Sequence, residues 1–471
     1  YCFGASLIDT GISKPKDYSE ETIEQLTEHY ETQGETEDPE QIVYAHKPNV
    51  VIVQLESFFD VNRLKNVVFS ENPLPNFTKL YQECASGAFS VPVIGAGTVN
   101  SEFEVLTGMN IDDFGIGEYP FKTIVKEKPC ESIAYDLKAH DYFTFAIHNH
   151  EGTFYERNMV YPNLGFDVFS SVEYMWPEQY TALDWTKDTV LIDQIRKALD
   201  STPAQDLVYA VSVQGHGSYP TDPDTEYQKH ITVTGSGDMS EEYLNQIRYY
   251  VNQLYETDQF IGELMKMLSE RPEATILVLY GDHCPSLELT DDMLTSGTVY
   301  DTEYIIWNNA GLALESGPIE AYELSSIVLE ALEITDGAVN TYHQNSRRAV
   351  RSHEMTEEDY LLGLQGLEYD ILYGDQIAYN GKSPYEPADL QMGFYPITVT
   401  DVRLTRDSVL ILTGENFTRY SSICIDGNAI DTLYISPEML VAAGVTIEQA
   451  CLITVSQSGL SETEPYAFRI D

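Results

Sequence analysis

The sequence predicts an α/β fold, a mostly parallel sheet flanked by helices, with a small all-β sandwich at the C-terminus. Three observations carry this. Short continuous apolar runs recur at 50–53 (VVIV), 142–148 (YFTFAIH), 206–213 (DLVYAVSV) and 274–282 (ATILVLYGD), as strands covered on both faces require. Helix-period stretches at 131–140, 188–200 and 241–270 separate these runs, the alternation of a parallel sheet. Beyond residue 391 the pattern changes to short alternating strands broken by Gly and Asn.

In chain order, residues 1–45 read as an acidic stem with an amphipathic helix in YSEETIEQLTEHYETQ. The chain opens on Tyr1 and the apolar octet YCFGASLI, which is too short to span a bilayer; a longer precursor with a membrane anchor before Tyr1 is the expectation. Residues 46–345 form the α/β unit, 346–390 a helical extension, and 391–471 the β-module. Within the α/β unit, IGAGTVNSEFEVLTGM places a helix start close to Thr98.

The 76 acidic residues against 26 basic give a net charge of −50, a surface that repels nucleic acid and anionic lipid at long range. An anionic substrate must therefore meet a local positive centre, either a metal ion or a few placed basic residues. Six cysteines without a CxxC pair exclude a zinc ribbon and a thioredoxin-type motif. Cys424 and Cys451 both fall in β-like segments and could pair.

In open α/β sheets functional groups gather beyond the carboxyl ends of the strands. Glu56 follows the first run, His216 (QGHGSYP) the third, and Asp282-His283 the fourth. Gly-Asp after a strand is also ordinary turn punctuation. Thr98 follows two glycines at a helix start, where free N–H groups receive a phosphate; the alternative is that Thr98 or Ser101 caps the helix. After the second run, HNHEGTFYERNMVYPNLGFDVF brings His148, His150, Tyr155 and Arg157 into one polar loop. Arg157 suits an oxyanion clamp, or else a surface ion pair. Together Glu56, Thr98, Asp282 and His283 make a mixed oxygen/nitrogen ligand set for one divalent cation, and coordination would turn the Thr98 hydroxyl into a usable nucleophile. Gly281 is expected to let the chain turn sharply so that Asp282 and His283 reach one ion, and Cys284 has no assigned role.

The ordered motifs NVVIVQLESFFD, LPNFTKL, GAGTVNSEFEVLTG, FYERNMVYPNLGFD, VQGHGSYP and LYGDHCP resemble the lipoteichoic acid synthase family, sulfatase-like phosphoglycerol transferases of the alkaline phosphatase superfamily. The resemblance covers roughly 46–345. It implies Glu56, Thr98, Asp282 and His283 as metal ligands, Thr98 as nucleophile, His216 and Arg157 as substrate-phosphate contacts, and Tyr155 where some members carry Trp. It implies one Mn²⁺, with Zn²⁺ or Mg²⁺ as alternatives, and a ping-pong transfer of glycerol phosphate from phosphatidylglycerol to a glycolipid, teichoic-acid or cell-wall glycan acceptor. The expected setting is the extracellular face of a bacterial membrane, with a monomeric chain that binds no nucleic acid. A phosphodiesterase or phosphatase on the same fold, and a phosphoethanolamine transferase, are the alternatives. No C/S-x-P-x-R motif of a true sulfatase occurs. The β-module resembles an IPT/TIG-type immunoglobulin-like domain through ITVTDVRLTRDSVLILTGENF, and either docks a wall glycan or acts as a spacer.

Overall fold

In the computed structural model, which describes residues 11–31, 47–237 and 239–469, the four apolar runs become adjacent strands at the centre of one nine-stranded sheet. In chain order its strands are β1 (Asn49–Leu55), β2 (Ala85–Ser90), β3 (Phe143–His148), β4 (Val168–Ser171), β5 (Asp206–Val211), β6 (Thr275–Gly281), β7 (Asp301–Asn308), β8 (Ile319–Glu320) and β9 (Gln391–Met392). Their spatial order is β8-β2-β7-β6-β1-β5-β3-β4-β9, and only β7 runs antiparallel to its neighbours.

Alternate residues of β1 feed two cores: Val50 and Ile52 face one, Val51, Val53 and Leu55 the other, all fully buried. Each such side chain contributes about 1.5–3 kcal/mol by leaving water. This is why the runs are continuously apolar rather than alternating. Helices Val190–Ser201 and Glu241–Ser269 cover one face; Thr98–Thr107, Ala338–Arg351 and Glu357–Leu372 cover the other. The register pairs Gln54 with Val211 and Leu55 with Gly281, so Glu56, Ser212 and Asp282 emerge together at one edge.

The helix of the acidic stem forms as Glu20–Glu31 and is docked: Ile23 is fully buried in the same core as Tyr360, Leu364 and Leu367, and the Tyr18 hydroxyl donates to Asp370 at 2.7 Å. At the other end, Gln391–Met392 pairs with β4 and extends the large sheet. The two antiparallel C-terminal sheets therefore begin at Thr398, and they enclose their own core of Val402, Leu410, Leu412, Ile423, Leu440, Ile453 and Val455. Cys424 and Cys451 do not pair. Cys424 lies opposite Thr454 and Cys451 opposite Phe468, and both are free thiols, as are Cys84, Cys130 and Cys284; Cys2 lies outside the described residues.

Burial pushes several carboxyls up: Asp188 and Asp206 to about 6 and Glu303 to about 7. Their unfolded values lie near 4. As pH falls through 7 and 6 the folded chain takes up these protons while the unfolded chain does not. These carboxyls, with the raised Asp282, Glu104, Asp136 and Glu368, outnumber the depressed imidazoles of His148, His150 and His343 that act in the opposite sense, so stability rises on acidification and falls as pH rises. The apo protein should accordingly melt at a higher temperature at pH 5.5 than at pH 8, read by calorimetry in EDTA; a melting temperature that falls between those values would contradict it.

Candidate active site

Glu56 and Ser57 leave β1 in a tight pocket. Ser57 adopts φ 53°, a left-handed conformation that costs a non-glycine residue about 1–2 kcal/mol. That conformation is held from two sides: the Ser57 N–H donates to Asp282 Oδ1 at 2.7 Å, and its hydroxyl donates to Glu56 Oε1 at 2.9 Å. The Glu56 N–H donates to Ser212 Oγ at 2.9 Å. Gly281 has a different reason from the expected sharp turn. It still belongs to β6, and a Cβ there would lie 1.9 Å from the Phe58 carbonyl oxygen. The missing side chain lets the Glu56–Phe58 segment pass against β6, which brings Glu56 to Asp282.

Glu56, Asp282 and His283 are all buried, and one ligand atom of each lies within 4.8 Å of the other two. His283 Nε2 lies 3.4 Å from Asp282 Oδ2 and 3.7 Å from Glu56 Oε1. The His283 Nδ1 faces the Cys284 carbonyl at 2.9 Å, and a carbonyl only accepts, so Nδ1 carries the proton and a neutral ring turns the Nε2 lone pair towards the carboxylates. Cys284 thus acts through its main chain; burial pushes its thiol up to about 12. Asp282 Oδ2 and His283 Nε2 are buried without a hydrogen-bond partner. Burial, then the Glu56 charge, pushes Asp282 up to about 7. For His283 burial opposes protonation, but the charges of Asp282 and Glu56 prevail and raise it. Electron-rich atoms crowded around one point, with two of them orphaned, fit a divalent cation.

Thr98 opens the wholly buried helix Thr98–Thr107. Gly97 before it takes φ 97°, and no side chain caps the helix, so the capping alternative for Thr98 and Ser101 is removed. Instead Ser101 Oγ donates to the Asp282 carbonyl at 2.6 Å, and Thr98 Oγ1 donates to Glu56 Oε2 at 3.1 Å. The helix N-terminus leaves N–H groups beside the Thr98 hydroxyl, where an anion is favoured.

His216 is half-buried; its Nδ1 lies 2.5 Å from the Gly217 carbonyl, to which it donates, and Trp185 lies 4.5 Å away between ring centroids. Tyr155 is half-buried, its ring 5.6 Å from the Arg157 guanidinium, and the charges of Glu56 and Asp282 act on its hydroxyl. Arg157 is 1% exposed and is neither a surface pair nor a free fork: its Nη2 and Nε donate to Glu102 Oε2 at 2.9 and 3.1 Å, and the Tyr161 hydroxyl donates to Glu102 Oε1 at 2.7 Å. Only Nη1, 3.4 Å from the Phe154 carbonyl, is turned away from Glu102. A bidentate grip on a phosphate is therefore not what Arg157 offers.

Three further groups join the site. His148 and His150 stood out in the sequence as polar loop residues without a role; Trp185 did not stand out at all. His148 is 3% exposed with Nδ1 3.0 Å from the Val211 carbonyl, and burial followed by the Arg157 charge keeps it well below the usual imidazole range. His150 is pushed down to about 4 by burial, Arg157 and His216, opposed by Glu56. Trp185 stacks near both His150 and His216, 5.3 and 4.5 Å between centroids. The cleft thus combines neutral imidazoles, one anchored guanidinium and an aromatic wall beside an anionic ligand cluster.

A protein of Rhizobium meliloti (strain 1021) named for cyclic β-1,2-glucan modification is 30% identical over 60% of this chain and 42% of its own length. Lipoteichoic acid synthase-like YvgJ of Bacillus subtilis (strain 168) is 25% identical over 56% of this chain and 41% of its own. The chain spans less than half the length of these curated relatives. Among solved structures, the Streptococcus pyogenes phosphoglycerol transferase GacH in complex with sn-glycerol-1-phosphate superposes with a TM-score of 0.67 at 21% identity, covering 79% of this chain and 98% of that one. No helix among the described residues is long and apolar enough to cross a membrane. The sulfatase family model matches residues 48–359, and the chain belongs to the sulfatase family.

Proposed function

We propose that this chain is a metal-dependent phosphoglycerol transferase, taking glycerol phosphate from phosphatidylglycerol to a glycolipid, teichoic-acid or cell-wall glycan acceptor at the outer face of a bacterial membrane. The observation that carries the reading is the Thr98 hydroxyl at an uncapped helix start, 3.1 Å from a carboxylate of the Glu56–Asp282–His283 cluster. Those three residues with Thr98 would hold one divalent cation, Mn²⁺ being our assignment and Zn²⁺ or Mg²⁺ its competitors. Bound there, the cation would lower the pKa of the Thr98 hydroxyl and offset phosphate charge in a chain of net charge −50.

Thr98 Oγ1 attacks phosphorus while its proton has an acceptor in Glu56 Oε2. The bond from phosphorus to the diacylglycerol oxygen breaks, and His216, entering in its protonated form with Nδ1–H held by the Gly217 carbonyl, passes its Nε2 proton to that oxygen. An acceptor hydroxyl then gives its proton to His216 and takes the glycerol phosphate, the phosphorus–Thr98 bond breaks, and Glu56 returns its proton to Thr98 Oγ1. Arg157 Nη1 and the neutral His148 and His150 contact the phosphate oxygens and the glycerol hydroxyls. We assign the chain as a monomer working at a membrane surface, where the proposed donor lies, and the acidic surface supports no nucleic-acid partner.

Incubation with phosphatidylglycerol and Mn²⁺ is expected to release diacylglycerol and leave a glycerophosphoryl adduct on the intact protein by mass spectrometry. Free glycerol phosphate without acceptor modification would instead make the chain a hydrolase. An adduct formed only from phosphatidylethanolamine would make it a phosphoethanolamine transferase.

A further inference from the structure

Between His150 and Arg157 the chain places two consecutive non-glycine residues in the left-handed region, Tyr155 at φ 58° and Glu156 at φ 62°. Such backbone persists only where its surroundings over-determine it. Within the α/β unit Glu156 pairs with Lys126 at 3.3 Å, a largely exposed contact and a weak tether. The stronger hold begins at Gly152. Its N–H donates to both carboxylate oxygens of buried Glu173 at 3.2 Å, while its carbonyl accepts from the Asn158 N–H at 3.1 Å and closes the loop. The Val172 N–H donates to the His150 carbonyl at 3.1 Å. The loop that carries His150, Tyr155 and Arg157 is therefore laced to residues 172–173.

Residues 172–173 are in turn held by the C-terminal β-module. The Glu173 carbonyl accepts the Thr418 hydroxyl at 2.7 Å and also the Gln457 amide, and that amide donates to Thr418 Oγ1 at 2.5 Å. Thr418 and Gln457 are 1% and 0% exposed, so water does not compete for these bonds. The seam continues with Tyr174 to Ser461 at 2.7 Å, the Trp176 indole N–H to the Phe417 carbonyl at 3.0 Å, and Arg419 to the Pro177 carbonyl at 2.8 Å.

We infer that the β-module is a positioning element of the active site: through Thr418, Gln457 and Glu173 it fixes the strained loop that presents His150, Tyr155 and Arg157. This reading replaces the spacer and the glycan dock as the module's first role. What the loop is used for rests on the phosphotransfer reading above; the clamp itself does not. Thr418 and Gln457 touch no reacting group and act only through Glu173.

The test uses the full chain carrying Thr418→Val, Thr418→Ser or Gln457→Leu, with amide hydrogen exchange read by mass spectrometry. Thr418→Val and Gln457→Leu should speed exchange across 149–157 by about tenfold or more, the scale of one lost buried hydrogen bond, while Thr98–Thr107 is unchanged. Thr418→Ser, which keeps the hydroxyl, should restore protection. Mn²⁺ affinity should stay at the wild-type value, and kcat for a fluorescent phosphatidylglycerol should fall with exchange. Unaltered exchange at 149–157 in both loss variants overturns the inference. So does retained protection there when exchange over 398–468 shows that the module itself has come undone. A wild-type chain inert towards phosphatidylglycerol would sink the donor assignment alone, because the exchange readout needs no substrate.

Discussion

Thr98→Ala is expected to abolish turnover of a phosphodiester donor, by roughly 10⁴-fold or more, the scale of losing a covalent nucleophile. The substitution removes a hydroxyl and a methyl from the first position of a helix, and Ala is the best helix former, so the fold should be intact. Glu56, Asp282 and His283 remain, and they supply the charged and imidazole ligands. Mn²⁺ binding by calorimetry should therefore survive in Thr98→Ala, weakened only by one neutral oxygen, while Asp282→Ala should lose it. Thr98→Ser, keeping the hydroxyl, should retain part of the activity. If Thr98→Ala turned over donor at the wild-type rate, the covalent route would be wrong whatever its metal content.

Glu102→Ala should be the most destabilising change near the cleft. Arg157 and Glu102 have side chains 1% and 0% exposed, and the Tyr161 hydroxyl shares the carboxylate. Removing Glu102 leaves a guanidinium in the interior without its counter-charge and orphans Tyr161, a loss of about 3–5 kcal/mol for a broken buried pair. Burial opposes the Arg157 charge, but the Glu102 charge and hydrogen bonds together with Tyr161 and Tyr209 prevail and raise its pKa, so Arg157 stays charged throughout the accessible pH range. Urea unfolding measures the loss, and the double variant Glu102→Leu with Arg157→Met should recover much of the stability without recovering turnover. Equal stability of Glu102→Ala and wild type would mean that Arg157 finds another partner, and the proposed fixed position of Nη1 would fall with it.

The pair also shows where sequence reading stops. Arg157 stood out because it lies in the polar loop after the second strand and its planar fork suits an oxyanion, but nothing near it in sequence named Glu102. Glu102 lies 55 positions away, on a helix whose ten residues are all buried. An amphipathic pattern cannot mark an inward-facing carboxylate there, because no face of that helix is exposed.

The strands and the residues of the buried cluster were legible for a related reason. Central strands of a parallel sheet are covered on both faces, so β1, β3, β5 and β6 announce themselves as apolar runs, and their carboxyl ends point to Glu56, His216 and Asp282-His283 without any three-dimensional knowledge. By contrast β2, with the sequence ASGAFS, is small and polar, and its place next to β7 comes from cross-strand pairing alone. The role of Gly281 was misread because a sequence shows that a side chain is missing, but not which backbone fills the space.

By itself, then, the sequence determined the sheet, its functional edge and the residue types gathered there, since burial and strand order are written in local patterns. Only the tertiary structure decided which atoms meet: the Nε2 lone pair of His283 turned towards two carboxylates, Arg157 committed to Glu102, and the β-module clasping Glu173. Arg157 meets Glu102, and the β-module meets Glu173, through a few hydrogen bonds between segments far apart in the chain, and His283 meets Glu56 through proximity alone. Such contacts have no periodicity to leave in a sequence, and close packing in three dimensions is what selects them.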